Sequence, residues 1–259
     1  MTPLQVLALV AASVAAGAMN AMAGGGTILT FPALLLAGLP AIAANATSAV
    51  ALLPGALASL YGFRDEVRRN SGWLRTLFLP SLIGGTLGSV LLLRTPEKVF
   101  AALAPLLILF ATVLFMIQGA LARRSPPPTV ASPADLSRGR LAAASALQFG
   151  VAVYGGYFGA GIGILMLALL GFLGLSNIHA ANGVKNFFNL CINVVAAAYF
   201  IAKGAVVWPA ALVIMGGATL GGYGGARFAQ RIGKPKARAA VIVIGLAVTA
   251  ILVWQRLAR

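Results

Sequence analysis

Two short polar stretches within an otherwise hydrophobic chain place the strongest constraint on its fold. Residues 43–49 read Ala-Ala-Asn-Ala-Thr-Ser-Ala, and residues 180–186 read Ala-Ala-Asn-Gly-Val-Lys-Asn. Each stretch follows a glycine-rich break, Gly24–Gly26 in the first case and Gly159–Gly161 in the second, and then a short hydrophobic run. Unwound backbone and polar side chains are tolerated at membrane depth only where they line a cavity or are buried in protein, so this pattern predicts a transporter.

The composition predicts one polytopic membrane domain over residues 1–259. Hydrophobic residues make up 60% of the chain and charged residues 9%, whereas about 25% of the residues are charged in a soluble globular protein. The longer hydrophobic segments approach the roughly 20 residues that span a bilayer. The segments lie near 4–23, 27–38, 41–63, 74–93, 97–122, 141–158, 161–174, 177–202, 205–228 and 237–257.

The positive charges predict which loops face the cytoplasm. The formal net charge is +15, and the basic residues lie mainly in short loops, which is typical of cytoplasmic loops rather than of nucleic-acid binding. The loops richest in basic residues are 64–75, the linker region 123–138 and 231–238. Placing all of them on one side requires an odd number of passes in each half, either five spans or three spans with a re-entrant hairpin.

An odd number of passes inverts the second half relative to the first and places both termini outside. We therefore expect an all-α fold of two inverted repeats, 1–122 and 139–259, with about five hydrophobic segments each and a cytoplasmic linker between them. The runs 27–38 and 162–174 would form only roughly 18–20 Å of helix, too short to cross the bilayer. They are predicted to be discontinuous or re-entrant half-helices that begin after the glycine breaks.

The glycine breaks are candidate anion sites. A helix that begins within the membrane exposes unpaired N–H groups and the positive end of its dipole, which together can bind an anion without a charged side chain. Glycine also lets the backbone approach a ligand closely. The alternative is that these glycines only permit close helix packing. The predicted substrate contacts in and beside the breaks are Gly25, Gly26, Thr27, Tyr157, Gly159 and Gly161.

A stripe of asparagines on segment 177–202 adds side chains to this site. The stripe lies on one helical face because its members recur every three or four residues. Lys185 lies at the edge of the stripe, and an ionisable residue inside the membrane indicates a functional site. The alternative role for such asparagines is hydrogen bonding between helices, above all for the last two. The members are Asn182, Asn186, Asn189 and Asn193.

The first half offers a smaller polar group at the corresponding place. Asn45 and Ser48 share a helical face, and Thr47 lies beside them. We expect these three residues to contact the substrate together with Asn182, Lys185 and Asn186. Lys185 would balance the charge of the substrate.

The acidic residues indicate the sign of that charge. They all lie in or next to predicted loops, so a cation site or a carboxylate proton relay has no obvious ligand, and the substrate should be an anion. A single histidine, His179, and a single cysteine, Cys191, leave no constellation for catalysis or metal binding. We therefore expect neither an enzyme nor a cofactor. The acidic residues are Asp65, Glu66, Glu97 and Asp135.

These patterns together resemble a known family. The first half reads Ala-Gly-Gly-Gly-Thr-Ile-Leu-Thr-Phe-Pro-Ala-Leu over 23–34, then Gly-Leu-Pro over 38–40 and Ala-Asn-Ala-Thr-Ser over 44–48. The second half has Gly-Ala-Gly-Ile-Gly over 159–163 and Ala-Asn-Gly-Val over 181–184. In this respect the chain resembles the TauE/SafE-type sulfite and organosulfonate exporters, which are similar to 4-toluene sulfonate uptake permeases.

The resemblance implies a multi-pass transporter in the bacterial inner membrane that exports sulfite or an organosulfonate such as sulfoacetate. Access to the site would alternate as one repeat moves against the other. The alternatives are an anion channel, a carrier of another small anion such as a carboxylate, and a non-transporting membrane scaffold. The expected partners are the small anion and the lipid bilayer. A homodimer through small-residue helix faces is a further expectation, and nucleic acid is not expected.

Overall fold

The fold consists of twelve α-helices and one short 3-10 helix in the part of the chain that the structure, a computed structural model, describes. That part is residues 3–22, 25–123, 133–175, 177–232 and 234–257. Gly24 of the first break, residues 124–132 of the predicted linker and the basic side chains of 231–238 lie outside it. An all-α fold is confirmed, since the described residues contain no strand.

The helices fall into two series, which have the same order of long and short elements when α3 and α4 are counted as one span and α5 is left out. The first series is α1 (Pro3–Met22), α2 (Thr27–Leu36), α3 (Ala41–Ala51), α4 (Leu53–Gly62), α5 (Arg64–Arg69), α6 (Ser71–Arg94) and α7 (Glu97–Arg123). The second is α8 (Arg138–Tyr157), α9 (Ile162–Phe172), α10 (Ile178–Ala202), α11 (Trp208–Ile232) and α12 (Lys234–Leu257). In each series a long helix, a glycine break and a short helix precede the polar stretch, as the sequence predicts.

Helix lengths and exposed faces fit a membrane environment. Four segments are long and apolar enough to cross a bilayer, namely Ala41–Gly62, Ser71–Arg94, Glu97–Ile117 and Ile178–Ala202. The half-helices α2 and α9 have only 10 and 11 residues. On α6, large apolar side chains recur every four residues on one exposed face, which is stable against lipid rather than water. These side chains are Leu79, Ile83, Leu87 and Leu91.

Helix α5 belongs to the first half and contacts α10 of the second half, which shows how the two halves are oriented. The continuous span α3–α4 runs toward α5, whereas α10 begins beside it, because a Cβ on Gly183 would lie 2.7 Å from the Glu66 side chain. The corresponding helices α3–α4 and α10 therefore run in opposite directions. The sequence treated 64–75 as a loop, but residues 64–69 form a helix, whose first-turn acids and last-turn arginines suit the helix dipole.

Two glycine-rich seams join the halves. Helix α1 packs against α11, and α8 packs against α6. The first helix of each half therefore packs against the corresponding helix of the other half, α11 or α6. A Cβ on Gly88 would overlap the carbonyl oxygen of Val153, and one on Gly221 would overlap that of Val14. Both seams depend on residues without side chains, as small-residue packing in membranes requires.

Candidate functional site

The first glycine break is held open by a side chain of α1. The amide nitrogen of Gly26 donates to Asn20 Oδ1 at 2.8 Å, so that α2 can begin at the next residue. Gly25 has a φ of +99°, in the left-handed region that favours glycine. The chain reverses here, and the N-terminal turn of α2 is left within the fold rather than at its surface.

The second break reverses the chain in a similar way. Gly159 and Gly161 have φ values of +77° and +78°, and Gly161 caps the N-terminus of α9. The Tyr154 hydroxyl donates to the carbonyl oxygen of Ala160 at 2.6 Å. This bond supplies a partner to one backbone acceptor of the break, since such groups cannot remain unpaired in the membrane interior.

A single cavity of about 70 Å³ contacts both breaks. On the same measure, one water molecule needs about 10–15 Å³, so the space suits a small ion or a small multi-atom anion. Its lining contains no carboxylate among the described residues. The predicted residues that line it are Gly25, Thr27, Gly159, Gly161, Lys185 and Asn186.

Lys185 is the only basic side chain in this lining, within the described part of the chain. It is 8% exposed, and its Nζ donates to Asn182 Oδ1 at 3.0 Å. Its aliphatic stem passes the start of α9, where a Cβ on Gly163 would lie 3.4 Å from Lys185 Cδ. The positive charge therefore lies beside the positive N-terminal end of a half-helix, an arrangement that favours an anion.

Asn182 does not line the cavity but contacts Lys185, which does. Its Nδ2 donates to the Ile178 carbonyl oxygen at 2.8 Å, which orients Oδ1 toward the lysine. The sequence predicted a direct substrate contact for Asn182. The structure instead gives it the geometry of a residue that positions the charge.

The first-half polar residues lie at contacts between helices, outside the cavity lining. Asn45 Nδ2 donates to the Tyr157 carbonyl oxygen at 3.0 Å. Thr47 Oγ1 accepts from the backbone nitrogen of Val207 at 3.0 Å, and Ser48 Oγ lies 2.6 Å from Thr30 Oγ1. All three side chains are buried. Each therefore connects α3 to another element.

Two other predicted contacts also lie outside the lining. The Tyr157 hydroxyl lies 3.3 Å from Thr95 Oγ1, at the turn between α6 and α7. Gly26 is buried against Asn20. The cavity thus brings together half of the predicted site residues, and the other half lie outside its lining.

Sequence reasoning missed Asn20, which both lines the cavity and binds the first break. The available signal was an isolated amide near the end of a hydrophobic segment, six residues before Gly26. Sequence reasoning also missed the wall that α4 contributes, where Gly55, Ala56 and Ser59 line the cavity. Nothing distinguishes these small residues from ordinary helix-packing residues before the fold is known.

The chain matches a family model over most of its length. Residues 9–252 match the model described as sulfite exporter TauE/SafE. No solved structure gives a significant match.

Curated relatives extend this similarity across nearly whole chains. A "Probable membrane transporter protein" of Haemophilus influenzae is 30% identical over 92% of this chain and 90% of its own. The "Probable membrane transporter protein ORF9" of a Sinorhizobium species is 27% identical over 92% and 88%. The "Probable membrane transporter protein YfcA" of Escherichia coli K12 is 25% identical over 98% and 91%. With its membrane helices and its family match, the chain belongs to the TauE/SafE sulfite exporter family of membrane transporters.

Proposed function

We propose that this transporter exports small sulfur-containing anions, sulfite or an organosulfonate such as sulfoacetate, across the bacterial inner membrane. The observation that carries the proposal is that Lys185 and both glycine breaks line the same cavity. Two half-helix N-termini and a lysine, with no carboxylate among the described lining residues, favour an anion. The sulfur chemistry comes from the family description.

The substrate contacts in this proposal are the backbone at both breaks and the side chains of Lys185 and Asn186. Backbone N–H groups and an amide donate to the oxygens of the anion, and Lys185 balances its charge. Asn182 holds Lys185 in place. The small volume of the cavity suits sulfite and short organosulfonates better than large organic anions.

The two ends of the site support transport by alternating access. The cavity extends from the second break toward Ser59, in the last turn of α4 and close to α5. Beside the α6–α7 turn, the buried rings of Phe31, Phe100 and Phe158 pack edge to face or at a tilt, with centroids 5.3–6.4 Å apart. We assign the α5 end to the cytoplasm because of its arginines, and release outward requires these rings to separate.

The test is anion flux in proteoliposomes that contain the purified protein. Sulfite and sulfoacetate are compared with acetate and chloride for the wild type and for Lys185→Ala. Loss of a hydrogen bond to a charged group costs about 1.5–3 kcal/mol, so we expect Lys185→Ala to reduce sulfur-anion flux about tenfold to a hundredfold. Lys203→Ala is the matched control, because Lys203 is an exposed lysine at the other end of α10.

The outcomes separate the alternatives. Saturable flux that is stimulated by anion on the opposite side indicates a carrier, whereas unsaturable flux indicates a channel. Faster flux of acetate than of sulfite and sulfoacetate would indicate that the substrate is a carboxylate rather than a sulfur-containing anion. Absence of all flux in folded wild-type protein would contradict transport of these anions and favour a scaffold. Equal flux in the Lys185→Ala and Lys203→Ala proteins would remove Lys185 from the site.

A further inference from the structure

Two asparagines beyond Lys185 continue the lining of the cavity. Asn189 and Asn193 follow Lys185 at intervals of four residues, and both contact the cavity. The helical rise places their backbones about 6 and 12 Å further along α10. The polar wall therefore extends well past the charged residue.

Within the described part of the chain, these asparagines do not connect α10 to another helix. Asn193 Nδ2 donates to the Asn189 carbonyl oxygen at 2.7 Å and to Asn189 Oδ1 at 3.1 Å. Both bonds lie within α10, and no described residue of another helix bonds to either amide. The sequence-based alternative, interhelical hydrogen bonding, therefore does not explain this pair.

The bond from Asn193 determines which group Asn189 offers to the cavity. A side-chain amide has one oxygen acceptor and two N–H donors. Because the oxygen already accepts from Asn193, the Nδ2 donors of Asn189 remain available on a polar wall. Among the α4 residues that line the cavity, Leu53, Gly55 and Ala56 are apolar, and only Ser59 carries a polar side chain, a hydroxyl that can itself donate to an anion.

We propose that Asn189, positioned by Asn193, forms a second subsite for the other oxygen-bearing group of a two-headed anion. This inference rests on the proposed function, in which Lys185 and the glycine breaks hold the sulfur head group. The second group, a carboxylate or a hydroxyl on a short carbon chain, accepts from Asn189 about one helical turn away. Sulfite carries all its oxygens on one sulfur atom and has no group to place there. The subsite thus selects short bifunctional organosulfonates over sulfite.

The test compares the affinity of the purified protein for sulfoacetate and for sulfite by titration calorimetry. A hydrogen bond to a charged group contributes about 1.5–3 kcal/mol, so Asn189→Leu is expected to lower the preference for sulfoacetate over sulfite at least about tenfold. Asn193→Ala keeps the Asn189 amide but frees its oxygen, and should lower the same ratio by about threefold. Val194→Ala, at an exposed position of α10, is the matched control and should leave the ratio unchanged.

Each outcome supports or overturns the subsite. A fall in the ratio for both asparagine variants supports it. An unchanged ratio overturns it, whether both affinities stay the same or fall together. If Asn189→Leu fails to fold, Asn193→Ala decides between the two outcomes alone, since it leaves the Asn189 amide in place and removes only the donor that occupies its oxygen. If the wild type binds neither anion, the proposed function fails first, and that result is distinct from a failure of the subsite.

Discussion

The two polar stretches, residues 43–49 and 180–186, correspond in sequence but occupy different environments in the fold. In the first copy, Asn45, Thr47 and Ser48 are buried and bond to Tyr157, Val207 and Thr30. In the second, Lys185 and Asn186 line the cavity, and Asn182 holds the lysine. Ser48 and Lys185 occupy equivalent places in the two stretches. The comparison teaches that one copy bonds to other elements of the fold while the other faces the cavity.

The largest expected effect comes from making the first copy resemble the second. Ser48→Lys places a charge where the serine is fully buried beside Thr30. A lysine at the centre of a membrane helix costs about 2.5–3.5 kcal/mol, and we expect a loss of stability of this size. Equilibrium unfolding in mixed micelles measures it.

The control for Ser48→Lys is a lysine at the next position. Ala49 lines the cavity, so Ala49→Lys can extend into polar space and should cost clearly less. Equal stability losses for the two variants would mean that the first copy is not the more deeply packed of the two.

A smaller effect is expected from Asn45→Leu, which leaves the Tyr157 carbonyl oxygen without its donor. Side-chain hydrogen bonds between membrane helices contribute about 0.6 kcal/mol on average and about 1.7 kcal/mol at most. We expect a stability loss in this range, with flux per folded molecule reduced much less than by Lys185→Ala. Unfolding and flux are measured on the same preparation.

Thr47→Val gives an independent check on this copy, because it removes the acceptor for the Val207 backbone nitrogen while keeping the shape of the side chain. It should resemble Asn45→Leu in both measurements. Loss of flux in a fully stable Asn45→Leu protein would contradict a purely structural role for the first copy, because Asn45 would then belong to the substrate path.

The smallest effect is expected from Asn182→Ala, which removes the acceptor for Lys185 but retains the charge. Because this bond is only partly buried, water can replace Asn182 as the acceptor, and the loss should cost about 0.5–1.5 kcal/mol net. Flux should then fall about twofold to tenfold, chiefly through a higher apparent KM. Asn177→Ala is the control, since Asn177 caps the same helix at His179 and Ala180. Asn177→Ala should lower stability by about 0.5–2 kcal/mol without raising KM. If it raised KM as much as Asn182→Ala does, Asn182 would act only by stabilising the start of the helix.

The architecture was predictable because its signals are local. The short runs after the glycine breaks predict α2 and α9, and the basic loops predict opposite directions for the two halves. Lys185 was also identifiable, since a lysine within an apolar segment is conspicuous in any membrane chain.

The partners of the first copy were not predictable from the same patterns. Asn45 and Lys185 both follow a break and a half-helix, so sequence periodicity gives them the same role. What separates them is contact with residues 112 and 160 positions away along the chain, since Asn45 binds Tyr157 and Thr47 binds Val207. Asn20 was missed for a similar reason, because only the chain reversal at Gly25 brings Gly26 back to it.

The two glycine seams also constrain how the protein can be synthesised. Helix α1 ends at Met22, whereas its partner α11 begins at Trp208. The ribosome must therefore complete most of the protein before α1 can pack against α11. Helices α6 and α8, in contrast, are neighbours in the chain apart from α7 and can pack early. The seam between α6 and α8 can therefore form before the seam between α1 and α11.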